Sequence, residues 1–264
     1  MIITIKDELP EDEIKRIEQV ELSYMYGGEK MGVTYNNFNI NSPVEALVSL
    51  PYYEEDGITI YNADCRIMMQ ALRPSWIITD PPYGINYDGS GYKKWSGQKQ
   101  TWDKIKNDDG CYDLEFLFKA EGNKVVFGAD NFINFITSKG SWIIWDKRVN
   151  DKNDKMFGNP IEMAWNSLEG LHKIYRIQHG GVVNADSIYG NNEKRVHPTQ
   201  KPVRLFYKVI EDFTEQNDFI LDPFMGSGTT LIAARKLGRK ATGIEINKKY
   251  CDIAIRRLSQ MEMF

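Results

Sequence analysis

LDPFMGSGTTLIAARKLG, residues 221–238, passes from a strand through a glycine turn into a helix. Gly226 and Gly228 let the backbone turn tightly and approach a ligand, while Thr229 and Thr230 open a helix whose first amides suit an anion. The third glycine of a dinucleotide fingerprint is missing, since Leu231 stands in its place, and no GK[ST] follows to make a P-loop. The next apolar run, ATGIEI, ends its strand at Glu245, nineteen residues after Gly226. An acid at that spacing accepts hydrogen bonds from ribose hydroxyls. The pattern calls for a nucleoside held without phosphate machinery. S-adenosylmethionine fits, with a ribose for Glu245 and a methionine carboxylate where a phosphate would lie. A plain βα turn with an exposed glutamate is the bland alternative.

Working outward, strands and helices alternate from Gly57 onward. GITIYNAD, WIITD, VVFGAD, SWIIWDK, IEMAWN, FILD and ATGIEI read as strands, rich in β-branched and aromatic residues. RIMMQAL, PVRLFYKVIEDFT, TTLIAARKLG and YCDIAIRRLSQ read as helices between them. That alternation indicates an α/β domain with a largely parallel sheet over 57–264. Residues 1–56 form an accessory segment, in which Ile14, Ile17, Val20 and Leu22 suggest a helix over 11–26 that Gly27-Gly28 stops.

Ligands of open α/β sheets sit beyond the carboxyl ends of strands, so the chemistry is sought there. One such end reads IITDPPYG, residues 77–84. Prolines lack N–H groups, so the carbonyls of Pro81 and Pro82 are free to face a ligand while their rings hold them still. A carboxylate at Asp80 and a fixed carbonyl together accept both hydrogens of an exocyclic amine, and Tyr83 is placed to stack on the base that carries it.

Together, Asp80-Pro81-Pro82-Tyr83, the later HPTQKP at 197–202, Asp222 to Thr230, Glu245 and Asp64 in YNADC resemble the amino-methyltransferases of DNA, in the group where DPPY precedes the S-adenosylmethionine motif. The resemblance covers most of 57–258. It implies a Rossmann-like, permuted methyltransferase fold with a mixed seven-stranded sheet and helices on both faces. It also implies a cofactor site of Asp64, Asp80, Thr199, Lys201, Asp222, Pro223, Phe224, Gly226, Ser227, Gly228, Thr229 and Glu245. Within it Asp64 lies near the adenine ring, and Thr199 and Lys201 near the methionine carboxylate. His197 is read as structural. The reaction implied is methylation of adenine N6 in duplex DNA with the base flipped out, because Asp rather than Ser precedes the prolines. Cytosine N4 in DNA, adenine in RNA, and an inactive cofactor- or DNA-binding module are the competing readings. A homodimer and a cognate restriction enzyme are the partners such a resemblance adds to DNA.

The bulk composition agrees with these expectations. Residues 1–56 hold 12 acids and 4 bases, so the net charge of −4 leaves the rest of the chain at +4, which permits a polyanionic partner. Lysines and aromatics crowd 85–106, within the candidate DNA-contact insertion 85–122. A second, target-recognition insertion is placed at 147–196 on Lys147, Arg148, Lys152, Lys173, Arg176, Lys194 and Arg195. Cys65, Cys111 and Cys251 are scattered and the three histidines form no metal motif, so neither a disulfide framework nor a metal site is expected. No apolar run reaches the length of a membrane span and no signal peptide opens the chain, which makes the cytoplasm the expected compartment.

Overall fold

A computed structural model describes residues 19–26, 29–36, 51–84, 114–137, 139–148, 159–178 and 200–260. Its main sheet grows from the apolar runs. In chain order, β3 (Tyr53–Glu55), β4 (Ile58–Tyr61), β5 (Trp76–Thr79), β6 (Asn123–Phe127), β7 (Ser141–Asp146), β8 (Ile161–Asn166), β9 (Lys173–Arg176), β10 (Phe219–Asp222) and β11 (Lys240–Ile244) lie side by side in the order β3-β4-β11-β10-β5-β6-β8-β7-β9. The five strands from β4 to β6 in that order run parallel, β8 runs antiparallel to both its neighbours, and β9 returns parallel to β7. The seven strands β4 to β7 of this order are the expected mixed sheet. β3 and β9 extend it at its two edges to nine.

Burial follows pairing. WIIT of β5 sits among parallel neighbours and is buried throughout, whereas SWIIWD of β7 alternates buried and half-buried positions. Alternate residues feed two cores. Ile60, Trp76, Ile78, Val125 and Phe127 meet α3 (Val203–Phe213), α4 (Thr229–Lys236) and α5 (Lys248–Ser259) on one face. On the other, Tyr61, Ile77, Val126 and Leu221 meet α1 (Cys65–Met68), α2 (Glu115–Lys119) and a 3₁₀ segment, Ala129–Phe135. Helices therefore cover both faces, which makes a Rossmann-like α/β layer structure.

Several expectations need correction. No helix spans 19–26: β1 (Gln19–Tyr26) pairs antiparallel with β2 (Glu29–Asn36) as a separate two-stranded sheet, with Tyr26 opposite Glu29. QVELSYMY alternates polar and apolar residues, and Gly27-Gly28 is a two-residue hairpin connection as readily as a helix stop. The boundary expected after residue 56 cuts through a second hairpin. β3 pairs with β4 across Asp56-Gly57, both at positive φ (47° and 76°) as a type I′ turn requires, so the sheet begins by Tyr53.

The insertions also shrink. Leu114 and Leu117 are fully buried in the core, and 161–176 supplies two sheet strands. Residues 85–113, 149–158 and 179–199, with Cys111, Lys152, Lys194, Arg195, His197 and Thr199, lie outside the described residues.

Candidate active site

β10 leads through α4 to β11 on one side, and β5 leads to β6 on the other, so the crevice between β10 and β5 is where the winding reverses. Two acids end these strands. Asp222 closes β10 and is almost wholly buried. Thr79 Oγ1 donates to its Oδ1 (2.7 Å), the Phe224 amide donates to the same oxygen (3.1 Å), and Thr230 Oγ1 donates to Oδ2 (2.5 Å). Burial pushes this carboxyl up to about 6, against the pull of those three donors. It is a clamp that joins the end of β5, the glycine turn and the first turn of α4.

The turn itself is held from both sides. Gly226 and Gly228 have φ of +50° and +80°, and a Cβ on Gly228 would lie 2.7 Å from Ala254 Cβ of α5, so only glycine lets α5 close on the loop. From α5, the buried Arg257 reaches Ser227, with Nη1 2.6 Å from its carbonyl oxygen and 3.0 Å from Oγ. Above the turn, Glu245 follows β11 and accepts the Gly226 amide at 3.1 Å and the Asn247 amide at 2.7 Å. Beside it Ile246 is 44% exposed. An acid and an open apolar side chain at one strand end fit a nucleoside, the acid suiting sugar hydroxyls and the isoleucine the flat face of a base.

Asp80, one residue beyond β5, sits in a cluster of charges. Lys201 Nζ lies 2.5 Å from Asp80 Oδ2, 2.9 Å from the Tyr83 hydroxyl and 3.2 Å from Glu162 Oε2. Tyr83 in turn donates to Asp80 Oδ1 at 2.6 Å, and Lys147 pairs with Glu162 Oε1. Burial pushes the Asp80 carboxyl above its ordinary range while Lys201 opposes it. Burial also works against the charge of Lys201, yet Asp80, Glu162 and Tyr83 hold its ammonium well above the usual lysine value. Glu162 pays for burial too, but Lys201 and Lys147 bring it down to about 2. The ring of Tyr83 packs directly on Gly128, where a Cβ would fall 2.1 Å from the ring, and meets Phe132 edge-on.

Comparison with known proteins places this geometry in a family. A family model described as DNA methylase matches residues 137–256. The type II methyltransferase M2.LlaDCHI of Lactococcus lactis subsp. cremoris is 26% identical, the match covering 81% of this chain and 94% of that protein. M.HinfI of Haemophilus influenzae, another type II methyltransferase, is 30% identical, the match covering 77% of this chain and 69% of that protein. The chain belongs to the DNA amino-methyltransferase family. A crystal structure of M1.HpyAVI in complex with SAM aligns with a TM-score of 0.45 at 24% identity, covering 76% of this chain and 99% of that one.

Within this methyltransferase the expected site residues that are described gather at the carboxyl ends of the neighbouring strands β4, β11, β10 and β5. Asp80, Pro81, Pro82 and Tyr83 follow β5. Pro223, Phe224, Gly226, Ser227, Gly228 and Thr229 form the neighbouring turn, and Asp64 and Glu245 follow the adjacent strands β4 and β11. Asp64 caps α1 and pairs with Arg66 (2.5 Å), which holds its carboxyl below the ordinary value. Ser227 and Thr229 are buried toward Arg257. Lys201, expected on a methionine carboxylate, is committed to Asp80 and Glu162.

The basic residues proposed for target recognition are also engaged: Lys147 with Glu162, Lys173 with Asp212 and Arg176 with Asp146, while Arg148 is buried. Glu162, Gly128 and Arg257 touch Lys201, Tyr83 and Ser227 respectively, contacts that sequence reading missed. Among the described residues no group of histidine, cysteine, aspartate or glutamate could hold a metal ion, and no helix is long and apolar enough to cross a membrane.

Proposed function

We propose that this DNA amino-methyltransferase transfers a methyl group from S-adenosylmethionine to N6 of adenine in duplex DNA, with the target base flipped out of the helix. The observation that carries the reading is Asp80. It is a carboxylate at the end of a parallel strand, on the switch point, one neighbour away from the glycine turn. When bound, S-adenosylmethionine supplies an electrophilic methyl on a sulfonium. Glu245 would hold the ribose, Ile246 and Asp64 would border the adenine, and the turn from Asp222 to Thr229 would line the remainder.

The chain's own work is on the nucleophile. An adenine amine is weakly nucleophilic because its lone pair is delocalised into the ring. Asp80 and the Pro81 carbonyl accept its two N–H bonds and draw the nitrogen toward a tetrahedral shape. Positive charge grows on that nitrogen during transfer, so the fixed carboxylate stabilises the transition state more than the ground state. Asp80 then holds the proton the methylated amine must shed. Flipping costs a few kcal/mol, and a base stacked on Tyr83 offsets about 1–3 kcal/mol of it. A second copy of the chain and a cognate restriction enzyme remain the proposed protein partners, in the cytoplasm.

The test is incubation with labelled S-adenosylmethionine and either unmethylated duplex DNA or RNA, followed by mass spectrometry of the nucleosides. N6-methyladenine in DNA is the expected product. N4-methylcytosine alone, or label in RNA alone, would overturn the choice of substrate.

A further inference from the structure

Four side chains of alternating sign run through the site: Asp80, Lys201, Glu162 and Lys147. Lys201 is only 6% exposed, so its ammonium meets these groups and little water. It has three N–H donors, of which Asp80 and the Tyr83 hydroxyl take two. Glu162 Oε2 stands 3.2 Å away and is buried; it is ion-paired with this ammonium, yet among the described residues no donor is well aligned on it. A buried carboxylate oxygen left in that state is costly and calls for a reason. Glu162 is also rigidly mounted. It projects from β8, whose next residue, Met163, accepts the Gly128 amide at 2.8 Å beneath Tyr83.

We propose that Glu162 is a positioning residue for methyl transfer, sharing Lys201 with Asp80 and taking the ammonium over when a target amine docks on Asp80. The inference rests on the reading of Asp80 given above. Lys201 and Tyr83 each occupy one oxygen of that carboxylate, and an incoming amine needs lone pairs there. A second cation on the same carboxylate also opposes the positive charge that grows on the amine. A small movement of Lys201 toward Glu162 Oε2, already 3.2 Å away, turns an N–H squarely onto that oxygen, which relieves both and satisfies it. Lys147 sets how strongly Glu162 pulls, because the two lysines compete for one carboxylate.

The experiment compares wild type, Glu162→Gln and Lys147→Met, with folding checked by thermal melting. Two readouts are taken. One is the titration of Asp80 by infrared difference spectroscopy against Asp80→Asn in each background. The other is kcat and KM for S-adenosylmethionine on duplex DNA. The groups facing Asp80 are Lys201 and Tyr83 in contact, Glu162 behind Lys201, and Asp222 across Thr79.

Glu162→Gln leaves Lys201 to Asp80 alone, so the Asp80 titration moves to lower pH and kcat falls about tenfold or more, with KM nearly unchanged. Lys147→Met frees Glu162, so the titration moves to higher pH and kcat rises. Identical titrations in all three proteins, or loss of kcat in both variants, overturn the inference. If wild type methylates no nucleic acid, the reading of Asp80 falls, while the infrared titrations still decide whether Glu162 governs Lys201.

Discussion

Asp80 and Asp222 end adjacent strands of one sheet, yet opposite means accommodate their charges. Asp222 is surrounded by neutral donors, two threonine hydroxyls and a backbone amide, and no cation among the described residues pairs with it. Asp80 has a lysine against it and a second carboxylate behind that lysine. Hydrogen bonds from neutral groups fix a geometry and give it nowhere to go, so the Asp222 end shapes a loop. Ion pairs with two candidate anions can exchange partners, so the Asp80 end can respond to an incoming group. Under the proposed function, this difference puts binding of the methyl donor at one strand end and chemistry at the next.

That division breaks most visibly at Asp80 itself. Asp80→Ala removes a preorganised acceptor and should lower the single-turnover rate of methyl transfer on the order of 100- to 1,000-fold. A loss below tenfold would detach the chemistry from this end of the sheet.

Gly128→Ala sharpens the comparison without touching a charge. Its φ of +65° and the 2.1 Å approach to Tyr83 force the ring off Asp80. We expect a cost of about 1–3 kcal/mol in stability by thermal or denaturant unfolding, together with a loss of rate. Binding of S-adenosylmethionine to the surviving folded protein should be retained.

Smaller again is the acid dependence of stability. The Glu162 carboxyl titrates near 2 in the folded protein, against an ordinary value of 4.5. Its folded pKa is depressed, so its contribution is complete above about 4.5 and is lost as pH falls toward 2. Denaturant unfolding across that window should show a slope in wild type that flattens in Glu162→Gln.

The legibility of the molecule in its sequence divides along physical lines. The strand, glycine turn and helix at 219–236 could be read because glycine and apolar periodicity are local signals, and Glu245 lies at a fixed spacing from them. The β1–β2 hairpin resembles a helix in sequence because Val20 and Leu22 serve either period, and Gly27-Gly28 ends a helix or turns a hairpin equally well. Asp56-Gly57 turns a hairpin at the point where the acidic composition of 1–56 gives way, so composition hides a strong local turn signal. At the site, the sequence offers Lys201 as a cation for a carboxylate, and the structure sets it against Asp80 and Glu162, neighbours that lie far from it in the chain. Sequence supplies a charge without its direction. Glu162 looks like the polar position of an alternating strand, and only the approach of Lys147 and Lys201, distant in sequence, gives it a role.

The most direct test of the division is calorimetric titration of S-adenosylmethionine into Asp80→Ala and Asp222→Asn side by side with wild type. Asp222→Asn swaps an acceptor for a donor in a buried clamp, a cost of about 1–3 kcal/mol that should weaken donor binding by roughly 5- to 150-fold. Asp80→Ala should bind the donor within about threefold of wild type. Weak binding by Asp80→Ala beside normal binding by Asp222→Asn would contradict the account.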